Sequence, residues 1–270
     1  MYTMHTALTS IIIPARNEKY LANTIRDLIA KAKGEIEIIA VVDGYWPDAE
    51  DLVLDDRVIY LHFGEARGMR NAINKGVAIA KGEYILKTDA HCMFAEGFDE
   101  ALKKDCKDNW VVVPRRYALD PVNWEIEDNS KYPVDYMYLS KDLHGVVWTE
   151  KNKDEELKKK EIDDLMSAQG SCWFMKKAYF EKLGLLDEEA FGPFWGEFQE
   201  IAFKVWADKG EIKVNKKTWY AHWHKPKTSG RGYNLDAPKD QAEKAIEGYF
   251  ATHDFSGMIE KFAPVPTWHI

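Results

Sequence analysis

Residues 84–92 read Tyr84-Ile85-Leu86-Lys87-Thr88-Asp89-Ala90-His91-Cys92, a short apolar run that ends in an acid and an imidazole two residues apart. Residues i and i+2 of a β-strand point to the same face, so an extended backbone would aim Asp89 and His91 together beyond the carboxyl end of the strand. A carboxylate oxygen with an imidazole nitrogen suits Mn²⁺ better than Ca²⁺, which prefers oxygen ligands alone. The alternative from these residues alone is that Asp89 caps the next turn and His91 is an ordinary surface histidine.

The chain before this stretch has the strand, helix, strand pattern of a parallel sheet. Residues 8–13 and 36–42 are apolar strand runs, and residues 21–32 repeat apolar side chains at helical spacing. Ligands of such sheets lie at the carboxyl ends of the strands, so residues 14–18 and Asp43 are candidates for one nucleotide pocket. The sequence has neither a GxGxxG nor a GxxxxGK[ST] motif, so a dinucleotide site or P-loop is not indicated.

A third strand run at residues 57–61 precedes a helix that is predicted to open between Gly64 and Arg70 and to end before Gly82. Arg67 and Arg70 lie at its start, where the helix dipole favours acids rather than bases. A cation in that place indicates an anionic ligand, with an ordinary surface ion pair as the alternative.

Composition limits the class of protein. A chain of 270 residues fits one large α/β domain, or a domain with a long extension. The formal net charge of −8 argues against a protein that holds nucleic acid by broad electrostatics, although a local basic groove remains open. Three cysteines without paired spacing, and the lack of a signal peptide or membrane-length apolar run, predict a soluble, cytoplasmic protein.

Four short motifs follow one another in the first third of the chain. They are Ile11-Ile12-Ile13-Pro14-Ala15-Arg16-Asn17-Glu18, Val41-Val42-Asp43, Arg67-Gly68-Met69-Arg70-Asn71-Ala72 and Asp89-Ala90-His91-Cys92. Their order and spacing resemble the nucleotide-sugar half of family 2-type glycosyltransferases with the GT-A fold. The last motif is most similar to the polypeptide N-acetylgalactosaminyltransferases, which carry Asp-x-His where most relatives carry Asp-x-Asp.

The resemblance implies an α/β protein with the GT-A fold, in which a mostly parallel, twisted sheet is flanked by helices. Residues 1–235 would form a single catalytic domain. Within it, residues 1–113 would be the Rossmann-like nucleotide-sugar half and residues 114–235 the acceptor half, with an insertion at about 117–165. Residues 236–270 would be a C-terminal helical extension.

The same resemblance assigns roles at the donor site. Asp43 would contact the uracil, residues 14–18 would wall the base and ribose, and Arg70 would approach the diphosphate. Asp89 and His91 would hold Mn²⁺ or Mg²⁺. The residues expected to contact the UDP-sugar are Pro14, Ala15, Arg16, Glu18, Asp43, Arg67, Arg70, Thr88, Asp89, Trp195, Lys225 and Arg231.

The second half of the chain supplies the candidate catalytic acids. A predicted strand at residues 167–175 and a helix at residues 176–183 precede Trp195-Gly196-Glu197 and Glu200. These residues resemble the Trp-Gly-Gly-Glu-Asn-x-Glu segment of the same transferases, with one glycine absent and the asparagine replaced. Glu197 or Glu200 would orient the acceptor or, if the reaction inverts, remove its proton. From the residues alone, Glu200 and Lys204 are an ordinary i,i+4 pair.

A last predicted strand, residues 213–220, leads into His222-Trp223-His224. In the resembling family a histidine at this point completes the metal site; His222 matches it best and His224 is the fallback. His-x-His on an extended segment is itself a metal signal, because both rings share a face. Residues 225–233 are basic and Gly-rich, which suits either a lid over a diphosphate or a plain linker to the helix predicted at 238–250.

These features predict metal-dependent transfer of a sugar from a UDP-sugar to an acceptor hydroxyl, with retention favoured by the resemblance. The sequence leaves the sugar and the oligomeric state open. The acceptor could be a glycan, a protein, a small metabolite or a hydroxymethylated base in DNA, so nucleic acid is expected only as an acceptor.

Two other functions compete with sugar transfer. A sugar-1-phosphate nucleotidyltransferase would carry a Gly-rich, basic signature directly after the first strand, which residues 14–18 lack. A non-catalytic sugar-binding module would need no Asp-x-His.

Overall fold

The computed structural model describes residues 7–128, 133–225 and 239–268. Its strands are β1 (Thr9–Ala15), β2 (Ile36–Asp43), β3 (Val58–Phe63), β4 (Tyr84–Thr88), β5 (Cys92–Phe94), β6 (Trp110–Asp120), β7 (Glu125–Ile126), β8 (Met137–Leu139), β9 (Gly145–Val147), β10 (Ile162–Asp164), β11 (Cys172–Lys176) and β12 (Glu211–His222). Its helices are α1 (Leu21–Lys31), α2 (Met69–Ile79), α3 (Phe98–Asp105), α4 (Thr149–Lys153), α5 (Glu155–Lys159), α6 (Lys177–Lys182), α7 (Glu188–Phe191), α8 (Glu197–Ala207), α9 (Lys239–Thr252) and α10 (Ser256–Phe262).

A twisted central sheet has the strand order β10-β12-β6-β11-β4-β1-β2-β3, with β5 paired to β12 and β7 to β6. Strands β4, β1, β2 and β3 run parallel to one another, as do β6 and β12, whereas β11 is antiparallel to both of its neighbours. Strands β8 and β9 form a separate hairpin. The predicted α/β class is confirmed, and the sheet is mixed, with its parallel pairs along β4-β1-β2-β3 and between β6 and β12.

Both faces of the sheet are covered, which explains why β1 and β2 are almost continuously apolar. Along β1, Ile12 belongs to the buried cluster that contains α2 and α8, and Ile11 and Ile13 belong to the cluster that contains α1 and α3. Because β1, β2 and β4 are parallel, their carboxyl ends meet at one edge of the sheet. That edge carries Ala15, Asp43 and Thr88.

The prediction of an extended backbone through His91 is wrong. Strand β4 ends at Thr88, and residues 89–91 bend before β5 begins at Cys92. Strand β5 then pairs with β12, and Cys92 lies opposite His222. Asp89 and His91 are therefore brought together by this bend, not by alternation along one strand. The pairing of β5 with β12 places His222 beside them.

Three boundaries in the second half also differ from the predictions. Strand β6 continues to Asp120, because it pairs with β12 along most of its length, so the irregular region begins after residue 120 rather than at about 117. The strand predicted at residues 167–175 is restricted to Cys172–Lys176, and the residues before it form an irregular approach to the sheet edge. Strand β12 is longer than predicted at both ends.

The two C-terminal helices contribute to the same core as the sheet. Ile246 of α9 and Ile259 and Phe262 of α10 are buried in the cluster that contains α8. Across the three described ranges, no helix combines the length and apolar character needed to cross a membrane.

Candidate active site

The first cleft lies at the carboxyl ends of β1, β2 and β4 and has a volume of about 820 Å³. It is lined by eight of the residues predicted to contact the donor: Pro14, Ala15, Arg16, Glu18, Asp43, Arg67, Asp89 and Lys225. His91, His222 and His224 also line it. The topology thus gathers residues from both ends of the chain into one cavity at the edge where parallel sheets bind ligands.

Asp43 shapes one wall of this cleft. Its Oδ1 accepts a hydrogen bond from the backbone N–H of Arg67 at 2.6 Å, and its Oδ2 accepts from Gly68 at 2.9 Å. Gly68 has a φ of 95°, and a side chain there would collide with Pro193. The carboxylate therefore fixes the loop that leads into α2, and each of its oxygens keeps a further lone pair for a ligand.

Asp89, His91 and His222 form the group that could hold a metal ion among the described residues, with their ligand atoms within 4.8 Å of one another. The Nε2 atoms of the two histidines are 3.1 Å apart, and Nε2 of His222 lies 3.2 Å from Oδ2 of Asp89. His91 Nε2 is 3.9 Å from the same oxygen. Of the two histidines weighed from the sequence, His222 joins this group, and His224 lines the cleft beside it.

The protonation states of this group suit a divalent cation. Burial would raise the pKa of Asp89, but the Lys87 ammonium and His222 outweigh burial and lower this pKa, so the carboxylate is ionised. Burial lowers the pKa of His222 to about 3, so its ring is neutral at pH 7. Within the described chain, the buried Nδ1 of His222 has no hydrogen-bond partner. One ionised carboxylate and two imidazoles that converge in this way fit Mn²⁺.

Glu18 contacts the group from the loop after β1. Its Oε2 lies 3.1 Å from Nδ1 of His91, and its Oε1 accepts a hydrogen bond from the Lys225 ammonium. Burial would raise the pKa of Glu18, but hydrogen bonding to His91 and the charge of Lys225 outweigh it and lower this pKa. The carboxylate is therefore ionised and can only accept hydrogen bonds.

Lys87 joins Asp89 to a second acid. Its side chain is 1% exposed, and its Nζ donates to Oδ1 of Asp89 at 2.7 Å and to Oε2 of Glu197 at 3.2 Å. The other oxygen of Glu197 accepts from Nε1 of Trp173 at 2.6 Å. Burial raises the pKa of Glu197, although Lys87 and Trp173 act in the opposite direction.

A second cleft, of about 690 Å³, adjoins the first and contains Glu197. Met69, Asp89, Gln169, Phe194 and His224 line both clefts. Trp195, which the sequence assigned to the donor, lines only the second cleft, where its ring packs edge-on against His144. Asp89 therefore lies where the two clefts meet.

The structure places Arg70 and Glu200 behind the clefts rather than in them. Both side chains are fully buried, and Nε of Arg70 donates to Oε2 of Glu200 at 2.8 Å. The other guanidinium nitrogens donate to the carbonyl oxygens of Gly192 and Trp195. The expected contacts of Arg70 with a diphosphate and of Glu200 with an acceptor are corrected on this ground, because the two residues satisfy each other.

Thr88 and Arg231 complete the set of residues predicted to contact the donor. Thr88 is fully buried beneath the clefts, and its hydroxyl points to the backbone carbonyl of Asp89. Arg231 lies outside the described residues, as does all but the first residue of the segment 225–233 that was predicted to be a lid or a linker. Lys87 is the site residue that sequence reasoning missed, and its signal was a lysine within an otherwise apolar strand.

The sequence is similar to known glycosyltransferases. The family pattern described as glycosyl transferase family 2 matches residues 10–184. Polypeptide N-acetylgalactosaminyltransferase 5 of Caenorhabditis elegans is 26% identical over 79% of this chain and 36% of its own length. Glycosyltransferase GlyG of Streptococcus pneumoniae serotype 4 is 32% identical over 42% of this chain and 40% of its own length.

One solved structure extends the comparison to the fold. A structure described as GalNAc-T7 with UDP, GalNAc and Mn²⁺ superposes with a TM-score of 0.71 and 18% identity, over 96% of this chain and 54% of the other. The fold is therefore that of the GT-A transferases, as predicted. The chain spans well under half the length of the curated relatives it matches.

Proposed function

The chain belongs to glycosyl transferase family 2, and from that premise we propose that it transfers a sugar from a UDP-sugar to an acceptor hydroxyl with the help of Mn²⁺. In this proposal the first cleft binds the UDP-sugar and the second cleft binds the acceptor. The relatives' names make N-acetylgalactosamine the first sugar to test.

The proposed donor site uses the residues that line the first cleft. Residues 14–18 wall the base and ribose, and Asp43 accepts a hydrogen bond from the uracil with the lone pairs that Arg67 and Gly68 leave free. Arg67 and Lys225 are the cations beside the expected diphosphate, since Arg70 is buried.

Asp89, His91 and His222 would hold the metal ion, with His224 at the edge of the same cleft. Mn²⁺ bound there would neutralise the charge that develops on the departing UDP. Lys87 keeps Oδ1 of Asp89 occupied, which leaves Oδ2 as the oxygen directed at the histidines.

Glu197 is the proposed acceptor-side acid. Trp173 and Lys87 each hold one of its oxygens, so the carboxylate is fixed in the wall of the second cleft. There it would orient the acceptor hydroxyl or, if the reaction inverts, accept its proton. The likeness to the N-acetylgalactosaminyltransferases supports retention, and the acceptor could be a glycan, a protein, a small metabolite or a hydroxymethylated DNA base.

The proposed catalytic domain and C-terminal extension keep the bounds predicted from the sequence. Residues 1–235 form the catalytic domain, and residues 236–270 a helical extension whose α9 packs on α7 and α8. A cytoplasmic location is also part of the proposal, supported by the free thiols of Cys92, Cys106 and Cys172.

The observation that carries the proposal is the convergence of Asp89, His91 and His222 at the junction of two clefts. The test is to incubate the protein with UDP-N-acetylgalactosamine, UDP-N-acetylglucosamine, UDP-galactose and UDP-glucose and to measure released UDP, with Mn²⁺ and with EDTA. We expect UDP release from at least one donor that depends on the metal.

The two competing functions give different outcomes in the same experiment. Pyrophosphate formed from UTP and a sugar 1-phosphate would indicate a nucleotidyltransferase. Sugar binding without UDP release from any donor, with water or an acceptor panel present, would indicate a binding module.

A further inference from the structure

We propose that Glu18 is a positioning residue of the metal centre, which holds His91 in the tautomer that can bind a cation, and that Lys225 holds Glu18 in place. The inference rests on the proposed metal-dependent function and gives Glu18 a role other than walling the nucleotide.

The tautomer follows from which atoms can donate. Nδ1 of His91 lies 3.1 Å from Oε2 of Glu18, and the two side chains are 8% and 9% exposed, so water is largely excluded from this contact. An ionised carboxylate has no hydrogen to give, and the contact is a hydrogen bond only if Nδ1 carries the proton. In a neutral ring Nε2 then carries the lone pair, and Nε2 is the atom that faces His222.

A carboxylate behind a histidine ligand in this way fixes both the tautomer and the ring orientation, and raises the basicity of the ligating nitrogen. Glu18 suits this role because it is held from both sides. Its Oε2 meets His91 and its Oε1 meets Lys225, so neither oxygen is left to rotate away.

Glu18 and Lys225 connect three segments that are far apart in the chain. Glu18 lies in the loop between β1 and α1, after a left-handed turn at Asn17 with a φ of 51°. His91 lies in the bend before β5, and Lys225 follows β12. Substitution of Lys225 should therefore loosen Glu18 without removing its contact to His91.

Three variants separate these contributions. Glu18→Gln keeps the size of the side chain, but its amide can donate or accept, so it no longer selects one tautomer of His91. Glu18→Ala removes the contact, and Lys225→Met leaves Glu18 in contact with His91 alone. Glu65→Gln is the matched control, because Glu65 is exposed and lines neither cleft.

The first measurement is calorimetric titration of Mn²⁺ into each protein in the presence of UDP. We expect the Kd for Mn²⁺ to rise about 10- to 100-fold in Glu18→Gln and Glu18→Ala, as loss of a partner behind a metal ligand does elsewhere. Lys225→Met should show a smaller rise, and Glu65→Gln should bind as the wild type does. Thermal melting confirms that each variant is folded.

The second measurement is independent of metal and of turnover. ¹⁵N NMR of histidine-labelled protein in EDTA should show His91 as the Nδ1–H tautomer in the wild type and as a mixture in Glu18→Gln. This measurement on the wild type keeps the proposal testable even if the Glu18 variants do not fold.

Three results would overturn the inference while the proposed function stands. These are Mn²⁺ affinity in Glu18→Gln equal to that of the wild type, the Nε2–H tautomer at His91 in the wild type, and a loss of metal-free UDP binding in Glu18→Gln that accounts for the whole effect. Failure of the wild type to bind Mn²⁺ with UDP present would instead overturn both the inference and the proposed metal dependence.

Discussion

Two buried ion clusters lie at the start of helix α8, one turn apart. The open cluster consists of Lys87, Asp89 and Glu197, and the closed cluster of Arg70, Glu200 and Lys204. In the open cluster the acids line the clefts, and the Asp89 side chain is 29% exposed. In the closed cluster Arg70 and Glu200 are fully buried and bond to each other and to nearby backbone groups.

The difference between the clusters is one of unused bonding capacity. Glu200 accepts from Arg70, Lys204 and the backbone N–H of Asp187, so its carboxylate is satisfied within the protein. Oδ2 of Asp89 faces Nε2 of His222, and this nitrogen also lies 3.1 Å from Nε2 of His91. Among the described residues, the buried Nδ1 of His222 has no hydrogen-bond partner. A buried charge therefore indicates function only where its partners leave lone pairs directed into a cavity.

The largest effect is expected from Asp89→Asn in the open cluster. The amide keeps the shape but loses the charge that binds the cation, so metal-dependent UDP release should fall by about 1,000-fold, or roughly 4 kcal/mol. Melting temperature should fall only moderately, because the amide oxygen can still accept from Lys87 and the Glu197 carboxylate stays beside that ammonium. Asp56→Asn, at an exposed position, is the control. Activity that survives in EDTA would place the chemistry elsewhere.

Glu200→Leu tests the closed cluster. It leaves the Arg70 guanidinium buried without its carboxylate, which should lower the free energy of unfolding by about 3 kcal/mol in urea titrations. Turnover per folded molecule should stay near that of the wild type. The double variant Arg70→Met/Glu200→Leu should recover part of the lost stability. Normal stability with lost turnover would return Glu200 to the active site.

Glu197→Gln tests the acid of the open cluster that lies one helical turn before Glu200. The amide can still accept from Trp173 at one atom, so the fold should be kept, but it cannot serve a hydroxyl as an ionised acid does. UDP release in the presence of acceptor should fall about 100-fold, or roughly 2.7 kcal/mol. Equal rates for wild type and variant would show that Glu197, like Glu200, has a structural role and does not act on the acceptor.

The smallest effect concerns the histidine that faces the open cluster. Burial lowers the pKa of His222 from its ordinary 6.5 to about 3. Between these pH values the imidazole is protonated in the unfolded chain but neutral in the folded protein. The contribution of His222 to the free energy of unfolding is therefore complete above pH 6.5 and is lost as the pH falls toward 3.

Urea unfolding in EDTA at pH 7.5 and pH 5 measures this loss. Between the two pH values the wild type should lose about 2 kcal/mol more than His222→Gln does. Equal losses in the two proteins would show that His222 is not held neutral by the fold. The wild type must be compared with His222→Gln, because Glu18 and Asp89 also have lowered pKa values, and their contributions to stability are likewise lost in acid.

Local pattern was enough for the parallel half of the fold. The strands at β1 and β2 are continuous apolar runs, α1 repeats apolar residues at helical spacing, and the ends of the strands carry the cleft residues. The boundaries of β6, β11 and β12 were less predictable, because those strands are set by pairing partners far along the chain.

The site divides in the same way. Asp89 and His91 are close in sequence and could be named from it, and family likeness pointed to His222. Arg70 and Glu200 lie in matching motif positions, yet their 130-residue separation hides the fact that they pair with each other. Lys87 was overlooked because a single lysine in a strand carries no pattern, and its partners are supplied by other elements.

The pairing of β5 with β12 has a consequence for how the protein is made. His222 lies 131 residues after His91 along the chain, on the last strand of the sheet. The parallel half can emerge from the ribosome and collapse well before β12 has been synthesised, but at that stage only two of the three ligands are present. The metal centre therefore cannot serve as an early folding nucleus, and it is completed only once β12 has inserted between β6 and β10. Partly made chains are thereby kept from acquiring the full ligand set before the rest of the sheet exists.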